Sequence, residues 1–217
     1  MATPRRKRIN GEESRQRILD AAAQISGDRG YDGTSIALVS ELSGLPASSI
    51  YWHFKNKDEL LAAVIERSFN RWLEAMRVWI PAQKGATREE RFVQAMRRTA
   101  TALVTAPDFM RLGLMLALER RPQEATARNL FLQVREQAYE QAVATYTTFF
   151  GDTLARADVR RIATLAMAAA DGLFIAREVN PALDFEASFE LLAAALLAAG
   201  RSLAARSDRS SKSGRRQ

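Results

Sequence analysis

Residues 34–60 read TSIALVSELSGLPASSIYWHFKNKDEL, and this stretch decides the fold. Apolar residues recur at three-residue steps in its first part, which predicts one apolar face of a short helix. They are Ile36, Val39 and Leu42. Gly44 can adopt a positive φ, and Pro46 pushes the residue before it away from helical geometry, so the helix should end there. Small polar residues and then an aromatic pair follow in residues 47–52. The pattern predicts a helix-turn-helix, a motif whose second helix enters the major groove of DNA.

The exit from this motif, residues 51–60 with the sequence YWHFKNKDEL, resembles the end of the DNA-binding domain in the tetracycline-repressor (TetR) family of bacterial transcription regulators. Upstream pairs match the family pattern at the same spacing, and the resemblance covers residues 14–66. These pairs are Gly30-Tyr31, Thr34-Ser35 and Gly44-Leu45. The resemblance implies an all-α fold, with an N-terminal three-helix DNA-binding domain and a C-terminal helical domain for ligand binding and dimerisation, about nine helices in total. The domains that we expect are a disordered basic arm at 1–11, a helix-turn-helix domain at 12–55, an effector-binding and dimerisation domain at 56–205 and a disordered basic tail at 206–217.

The resemblance also implies which residues meet DNA. Residues that open the first motif helix would touch phosphate, those at the start of the second would lie over the bases, and the exit would line the DNA backbone. The implied DNA-binding residues are Thr34, Ser35, Ala47, Ser48, Ser49, Tyr51, Trp52, His53 and Lys57. The sequence departs from the family pattern at Ala37 and Leu38, where a basic and an acidic residue are usual, and at Pro46, where a serine often caps the helix. The operator is therefore less predictable than the fold.

The net charge of +7 is concentrated in two tails. Residues 1–17 hold six basic and two acidic side chains, and residues 201–217 hold six basic and one acidic, so the middle of the chain is slightly acidic. The run Arg5-Arg6-Lys7-Arg8 has two interpretations. It lies along DNA phosphates or in the minor groove, or it is a disordered tail that aids solubility. The C-terminal tail has no apolar anchor, which favours disorder.

Composition excludes several other classes of protein. The absence of cysteine excludes disulfides and thiolate metal sites. The N-terminus lacks the apolar region of a secretory signal, and no apolar run approaches the ~18 residues of a spanning helix, so we expect a cytoplasmic protein. The single histidine, His53, lies in the motif exit, and no HExxH, Walker or GxSxG motif is present. We therefore expect neither an enzyme nor a bound metal or cofactor.

Almost every other segment is predicted to be helical. Capping-box pairs mark two helix starts, Asn56 with Glu59 and Thr87 with Glu90. The helix from Asn56 should continue to Pro81 and would act as a lever between the two domains. The remaining predicted helices are 12–28, 88–105, 107–119, 123–150, 158–178 and 185–205.

The last two predicted helices are rich in alanine and carry more apolar surface than one face requires. We expect them to pair with those of a second copy as a four-helix bundle, although they could instead close the protein's own core. The predicted dimer-interface residues are Ile162, Ala166, Ala169, Leu173, Phe189, Leu192, Leu196 and Leu203.

Bulky apolar residues in the middle helices have two interpretations, ordinary core or the lining of an effector pocket. The candidate effector-binding residues are Trp72, Met76, Trp79, Met96, Phe109, Met115, Phe131, Tyr139, Asp171 and Phe174. A buried carboxylate at Asp171 needs a partner, either a ligand amine or hydroxyl or, as we favour, an arginine across the dimer.

The sequence as a whole predicts a sequence-specific transcriptional regulator. With the resemblance, it would be a homodimeric repressor that a small hydrophobic or aromatic effector releases from a pseudo-palindromic DNA operator. Two alternatives remain: a non-specific DNA-coating protein bound through its basic tails, and a ligand carrier or adaptor on the same fold. The ratio of specific to non-specific DNA affinity separates all three.

Overall fold

The computed structural model describes residues 4–77, 85–105, 107–118 and 125–213, and every regular element within these ranges is an α-helix. The all-α fold and the expected number of helices are thereby confirmed for the described residues. The helices are α1 Pro4–Arg29, α2 Ile36–Ser43, α3 Ala47–His53, α4 Lys57–Arg77, α5 Arg88–Thr105, α6 Pro107–Leu118, α7 Ala125–Phe150, α8 Arg156–Val179 and α9 Phe185–Ser213.

Helix ends set by local signals lie where the sequence predicts them. The capping box of α5 forms, since the Thr87 N–H donates to the Glu90 carboxylate at 2.7 Å and the Glu90 N–H donates to the Thr87 hydroxyl at 3.1 Å. At α4 the Glu59 N–H donates to the Asn56 side chain at 2.8 Å, while the Glu59 carboxylate accepts from the Lys55 N–H at 2.7 Å. The predicted end of α4 at Pro81 lies outside the described residues.

Both basic tails extend helices further than expected. Helix α1 begins at Pro4 and α9 runs to Ser213, so the backbone is helical over 4–11 and 206–213 where we expected disorder. Proline suits the first position of a helix, and arginine and lysine are good helix formers. Repulsion between the basic side chains of the two tails therefore does not by itself prevent α1 and α9 from extending into them.

The chain divides into two compact units whose boundary differs from the predicted one at 55/56. The first unit comprises Met1–Trp72 and Ala106–Val134, and the second Leu73–Thr105 and Arg135–Gln217. The first unit gains α6 and the start of α7 because both pack within it. The Asp58 carboxylate accepts the backbone N–H groups of Thr126 and Ala127 at 3.0 and 3.2 Å. These donors lie in the first turn of α7, where a carboxylate is favourable.

The first unit is built on buried faces of α1 and α4. One apolar face of α1 is buried, together with apolar residues in the first half of α4. They are Ile18, Leu19, Ala22 and Ile25 in α1, and Leu61, Val64 and Ile65 in α4. Gly30 ends α1 with φ +70°, and a side chain there would overlap the Met115 side chain of α6. The turn after α1 therefore packs directly on α6.

The second unit has an aromatic centre at Phe92. Its ring contacts those of Tyr146, Phe149 and Phe150, with centroids 5.2–5.5 Å apart. Burial raises the pKa of Tyr146 to about 12, and its hydroxyl donates to the Met96 sulfur at 3.4 Å. The hydroxyl therefore stays protonated at neutral pH.

Ion pairs join α5 to α9 within the second unit. Arg97 contacts Glu190 at 2.6 Å, and Arg201 contacts Glu89 at 2.8 Å. All four side chains are at least two-fifths exposed, so these pairs contribute little to stability. The α5–α9 packing is held mainly by buried apolar residues.

Burial within one chain contradicts half of the predicted dimer interface on α8 and α9. Half of the predicted interface residues are fully buried within one chain and the others are half-buried. The buried ones are Ile162, Ala166, Phe189 and Leu196; the half-buried ones are Ala169, Leu173, Leu192 and Leu203. This stripe closes the protein's own core because α8 and α9 pack on each other and α9 also packs on α5.

A different stripe is exposed, and we name it the outer α8–α9 face. Its residues recur at steps of three and four along each helix, so they share one side of it. They are Leu165, Ala168, Gly172, Ile175 and Val179 in α8, and Leu191, Ala194 and Ala198 in α9. Val179 is 81% and Leu191 73% exposed. Large apolar side chains rarely stay this open when they form a continuous stripe.

Helix α9 also corrects the expectation that no segment is long and apolar enough to span a membrane. By length and composition alone, Phe185–Ser207 could span a membrane. Only 22% of its most apolar 18-residue stretch is buried. The expectation was wrong because it considered only uninterrupted apolar runs. Isolated charged residues interrupt the run in α9 but hardly lower its mean hydropathy. One such helix is weak evidence for a membrane, since core helices of other proteins share these properties.

Candidate nucleic-acid interface

The turn between α2 and α3 is fixed by local hydrogen bonds. Ser35 caps α2, its hydroxyl accepting the Leu38 N–H at 3.2 Å. Gly44 ends α2 in the left-handed region with φ +64°, which an L side chain rarely adopts. The Ser40 hydroxyl then donates to the Leu45 carbonyl at 2.7 Å across the turn. Pro46 precedes α3 without any side-chain cap, as its departure from the family pattern predicts.

Two arginines of helix α1 contact the helix-turn-helix. The Arg17 guanidinium donates to the Ser43 carbonyl at 2.6 Å, which satisfies a backbone acceptor at the end of α2. Arg15 lies over the Phe54 ring, 5.5 Å from its centroid. Our sequence reasoning missed both arginines, because nothing in the local pattern of α1 distinguishes them from a solvated helix face.

Most predicted DNA-binding residues lie on the accessible surface of the motif. Ser35 and Ser48 are exposed and Ala47 and Ser49 half-buried, while Tyr51 is 57% and Trp52 75% exposed. Ile50, which lies between them in the sequence, is fully buried. Helix α3 therefore uses one side for the core and offers small polar and aromatic side chains on the other.

Two predicted contacts are placed differently. Thr34 is buried, and its hydroxyl donates to the Gly30 carbonyl at 2.7 Å, so this side chain closes the turn after α1 and does not reach the surface. Lys57 is half-buried. Its ammonium donates to the Tyr31 carbonyl at 3.1 Å and lies over the Tyr31 ring. An ammonium group has three donors, so this bond leaves Lys57 able to donate to a phosphate as well.

His53 stands at the end of α3 against Trp52, with ring centroids 4.5 Å apart in an edge-to-face arrangement. Burial lowers the pKa of His53, the positive charge of Arg15 lowers it further, and the negative charge of Glu12 partly opposes them. The imidazole is therefore neutral at pH 7, and offers a single N–H donor.

We expect His53 to make folding stability depend on pH below 6.5. The unfolded chain binds a proton at the ordinary histidine pKa, whereas the folded chain resists protonation until a lower pH, so stability is lost as pH falls through this window. Urea unfolding between pH 5 and 7.5 measures it. The His53→Gln variant should lose only this part of the pH dependence, and an unchanged profile in that variant would assign the effect to other groups.

The candidate effector residues are divided between the two units. The first unit contains Trp72, Phe109, Met115 and Phe131; the second contains Met76, Met96, Tyr139, Asp171 and Phe174; and Trp79 lies outside the described residues. Phe109, Phe131, Met96 and Phe174 are buried. Two described clefts, of about 540 and 310 Å³, are lined by none of the candidates. The structure therefore does not unite the candidates in one described pocket.

Three candidates of the first unit belong to one row of aromatic rings. Trp72 stacks on Phe69 with centroids 5.7 Å apart, and Phe109 lies between Phe69 and Phe131 at 5.4 Å from each. Among the described residues, the buried indole Nε1 of Trp72 has no hydrogen-bond partner. Sequence reasoning missed Phe69, which connects the row.

Asp171 has the type of partner that we favoured, but in its own chain. Its carboxylate accepts both Nη groups of Arg135, at 2.7 and 2.5 Å, in a bidentate pair between α7 and α8. Tyr139 also has a hydrogen-bond partner within the chain, since its hydroxyl donates to the Arg160 carbonyl at 3.3 Å. Both residues thus have structural roles in the second unit.

A model of the tetR family of bacterial regulatory proteins matches residues 18–64, which span α2, α3, the C-terminal part of α1 and the first turns of α4. The N-terminal domain belongs to the TetR family. Its turn at Gly44 and exit after α3 are the features that first suggested this family.

Curated relatives share this domain. Over 62 residues the chain is 39% identical to the HTH-type transcriptional regulator TtgR of Pseudomonas putida, a match that covers 29% of this chain and 30% of TtgR. Over 60 residues it is 30% identical to IcaR of Staphylococcus epidermidis, a negative transcriptional regulator of a biofilm operon, covering 28% and 32%. The chain thus matches about three tenths of these relatives' length. They are regulators and not enzymes, which agrees with our expectation for this chain.

Solved structures of TetR-type regulators resemble this chain in fold over most of its length, and not only in the N-terminal domain. The MbdR regulator from Azoarcus sp. CIB has a TM-score of 0.67 at 21% identity, over 85% of this chain and 97% of that one. A TetR-like regulator from Rhodococcus sp. RHA1 has a TM-score of 0.66 at 20% identity, over 85% and 93%. At such identities the likeness concerns the fold: an N-terminal helix-turn-helix followed by a helical region.

Proposed function

We propose that this protein is a cytoplasmic transcriptional regulator that binds a pseudo-palindromic DNA operator as a homodimer, represses transcription, and is released by a small hydrophobic or aromatic effector. The observation that carries the proposal is the accessible side of α3 within a TetR-family domain. Ser48 and Ser49 are short enough to let the backbone approach base edges, and Tyr51 and Trp52 lie where the motif leaves the groove.

The outer α8–α9 face supports the homodimer. Its exposed apolar stripe contains a glycine at position 172, where an added Cβ would meet nothing within 4 Å in a single chain. Small residues between larger apolar ones allow two helices to approach closely, and an isologous contact would cover this face in both copies. Two recognition helices about 34–36 Å apart would then read successive half-sites.

The aromatic row of the first unit supports the effector part. The buried indole N–H of Trp72 has no acceptor in the part of the chain that the structure describes. A planar apolar ligand with one acceptor atom would both stack in this region and satisfy that donor. An effector that binds the DNA-incompetent state about 100-fold better would shift the equilibrium by roughly 2.7 kcal/mol. Repression is the simpler regulatory role, and IcaR, which shares the domain, is a negative regulator.

Selection from random duplex DNA tests the proposal. Purified protein at about 150 mM salt should enrich a two-fold symmetric site with half-sites one helical turn apart. The enriched duplex, labelled with a fluorophore, then serves to screen planar apolar compounds for release, with Trp72→Phe as the variant that keeps the ring but removes the indole donor.

The outcomes separate the three functions left open by the sequence. Binding that fades uniformly with salt, without enrichment, would indicate the DNA-coating protein. Absence of DNA binding together with ligand binding would indicate the carrier. An enriched site that a single subunit occupies would contradict the dimeric regulator.

A further inference from the structure

A polar cleft of about 310 Å³ lies within the first unit, between α1, α4 and α6. This volume is far larger than the space that a single water molecule needs. Each of the three helices contributes charged side chains to the lining, three acidic and three basic in all. They are Asp20 and Asp28 in α1, Arg67 and Arg71 in α4, and Asp108 and Arg111 in α6. Because their formal charges cancel, these six side chains as a group favour neither an anion nor a cation.

One ion pair joins α1 to α4 in this cleft and uses part of the charge. Arg67 is only 13% exposed, and its Nη1 donates to the Asp20 carboxylate at 2.8 Å and to the Gln16 side-chain oxygen at 3.2 Å. The Nε of Arg67 is buried as well, but no acceptor for it exists among the described residues. A guanidinium group carries five N–H donors, so the two bonds leave Arg67 short of acceptors.

Asp108 has the opposite shortage. It is half-buried in the first turn of α6, and within the described ranges no group donates a hydrogen bond to its carboxylate or approaches it as an ion pair within 4 Å. Burial raises the pKa of this carboxyl, even though the positive charges of Arg111, Arg67 and Arg71 lower it. The first turn of a helix favours a carboxylate, but burial without a donor is costly. The arginines therefore act on Asp108 from a distance and leave it without a close partner.

The walls beside Asp108 leave room for a ligand. On α1, an added Cβ at Gly27 would lie 3.9 Å from the Asp108 Oδ1, so this wall carries no side chain. On α4, Arg71 follows Arg67 by four residues and shares its face of the helix. Arg71 is exposed and forms no hydrogen bond or ion pair with any described residue. The cleft thus holds an acceptor without a donor on α6 and donors without acceptors on α4.

We propose that this cleft is a second ligand site, for a small zwitterion with the chemistry of a free α-amino acid. The ammonium group of the ligand binds Asp108, and its carboxylate binds Arg67 and Arg71. An anion alone would lie against the Asp108 carboxylate and a cation alone against the arginines, so each would meet a like charge. A zwitterion supplies the missing donor and the missing acceptor together. The inference concerns small-molecule binding alone and does not rest on the proposed function.

Calorimetric titration of the full-length protein with the common free α-amino acids, one at a time, tests this site. Each amino acid that binds is compared with two of its own derivatives: the N-acetyl form, which lacks the ammonium charge, and the carboxamide, which lacks the carboxylate. Asp108→Asn and Arg71→Gln each remove one charge from the cleft. Glu66→Gln and Arg91→Gln are the matched controls, since both residues are exposed and neither lines the cleft. Circular dichroism verifies that all four variants fold.

We expect at least one amino acid to bind, and both of its derivatives to bind at least tenfold more weakly. Each cleft variant should show the same loss for the unmodified amino acid, because a hydrogen bond to a charged group contributes a factor of about ten or more to affinity. The two control variants should bind like the wild-type protein, since the charges that they remove lie outside the cleft.

Three results would overturn the inference. The first is that no amino acid binds. The second is that the N-acetyl form or the carboxamide binds as tightly as the amino acid, because a zwitterion is then not what the protein recognises. The third is that binding survives both cleft substitutions, which would place the ligand elsewhere. Failure of the proposed function is distinguishable, since a protein that enriches no DNA site can still be titrated with amino acids.

Discussion

The Gly113→Ala variant should lose about 2 kcal/mol of unfolding free energy, although alanine is the better helix former. Gly113 lies in the middle of α6, and a Cβ there would overlap the Phe131 ring of α7. Phe131 is only 1% exposed and Phe109 packs against it, so the ring has little room to move. Because the ring has little room to move, we expect the upper end of the usual cost of overpacking, about 3 kcal/mol. The ~1 kcal/mol that alanine gains in helix propensity then leaves a net loss of about 2 kcal/mol.

Urea unfolding of a double-mutant cycle measures this effect. Phe131→Leu removes part of the ring, so its combination with Gly113→Ala should be more stable than the two single losses predict, by about 0.5–3 kcal/mol. Gly11→Ala is the matched control in the same unit, because its Cβ meets Trp52 at an ordinary 3.7 Å and should cause no loss. If both alanine variants are equally stable, α6 moves away from α7 without cost and close packing at Gly113 is not required.

Local signals made the helix-turn-helix predictable from the sequence. The left-handed turn at Gly44 and the cap at Asn56 form as expected, and the cap at Ser35 likewise involves residues within four positions of each other. The burial of Thr34 could not be predicted in the same way. Its hydroxyl bonds the Gly30 carbonyl, also nearby in the sequence, but its burial depends on packing that no local pattern shows.

Helices α8 and α9 were predicted as elements, but half of the residues assigned to their dimer interface lie in the protein's own core. Both sides of each helix contain alanine and larger apolar residues, so periodicity alone could not decide which side meets the core. Phe189 and Leu196 face inward, and Leu191 faces outward at 73% exposure. The same limit applies to the effector candidates, because bulky residues suit a core and a pocket equally well.

The Leu191→Glu variant should weaken the dimer at least 100-fold and abolish tight operator binding. Leu191 lies on the outer α8–α9 face, and in a two-fold symmetric contact each copy contributes the substituted residue. Two carboxylates would then be buried in one interface without partners, at a cost above about 3 kcal/mol. A monomer reads only one half-site, so operator affinity should fall with the dimer.

Sedimentation at micromolar concentration measures the dimer, and circular dichroism verifies the fold. Leu132→Glu is the matched control, since Leu132 is 41% exposed on α7 and lies outside the outer α8–α9 face. Gly172→Leu provides an independent probe: its side chain has open space in one chain but would hold two copies apart. A wild-type protein that sediments as a monomer, or a Leu191→Glu variant that remains dimeric, would place the subunit contact elsewhere. If both outer-face variants become monomers while Leu132→Glu stays a dimer, the exposed stripe is the surface through which two recognition helices are held at operator spacing.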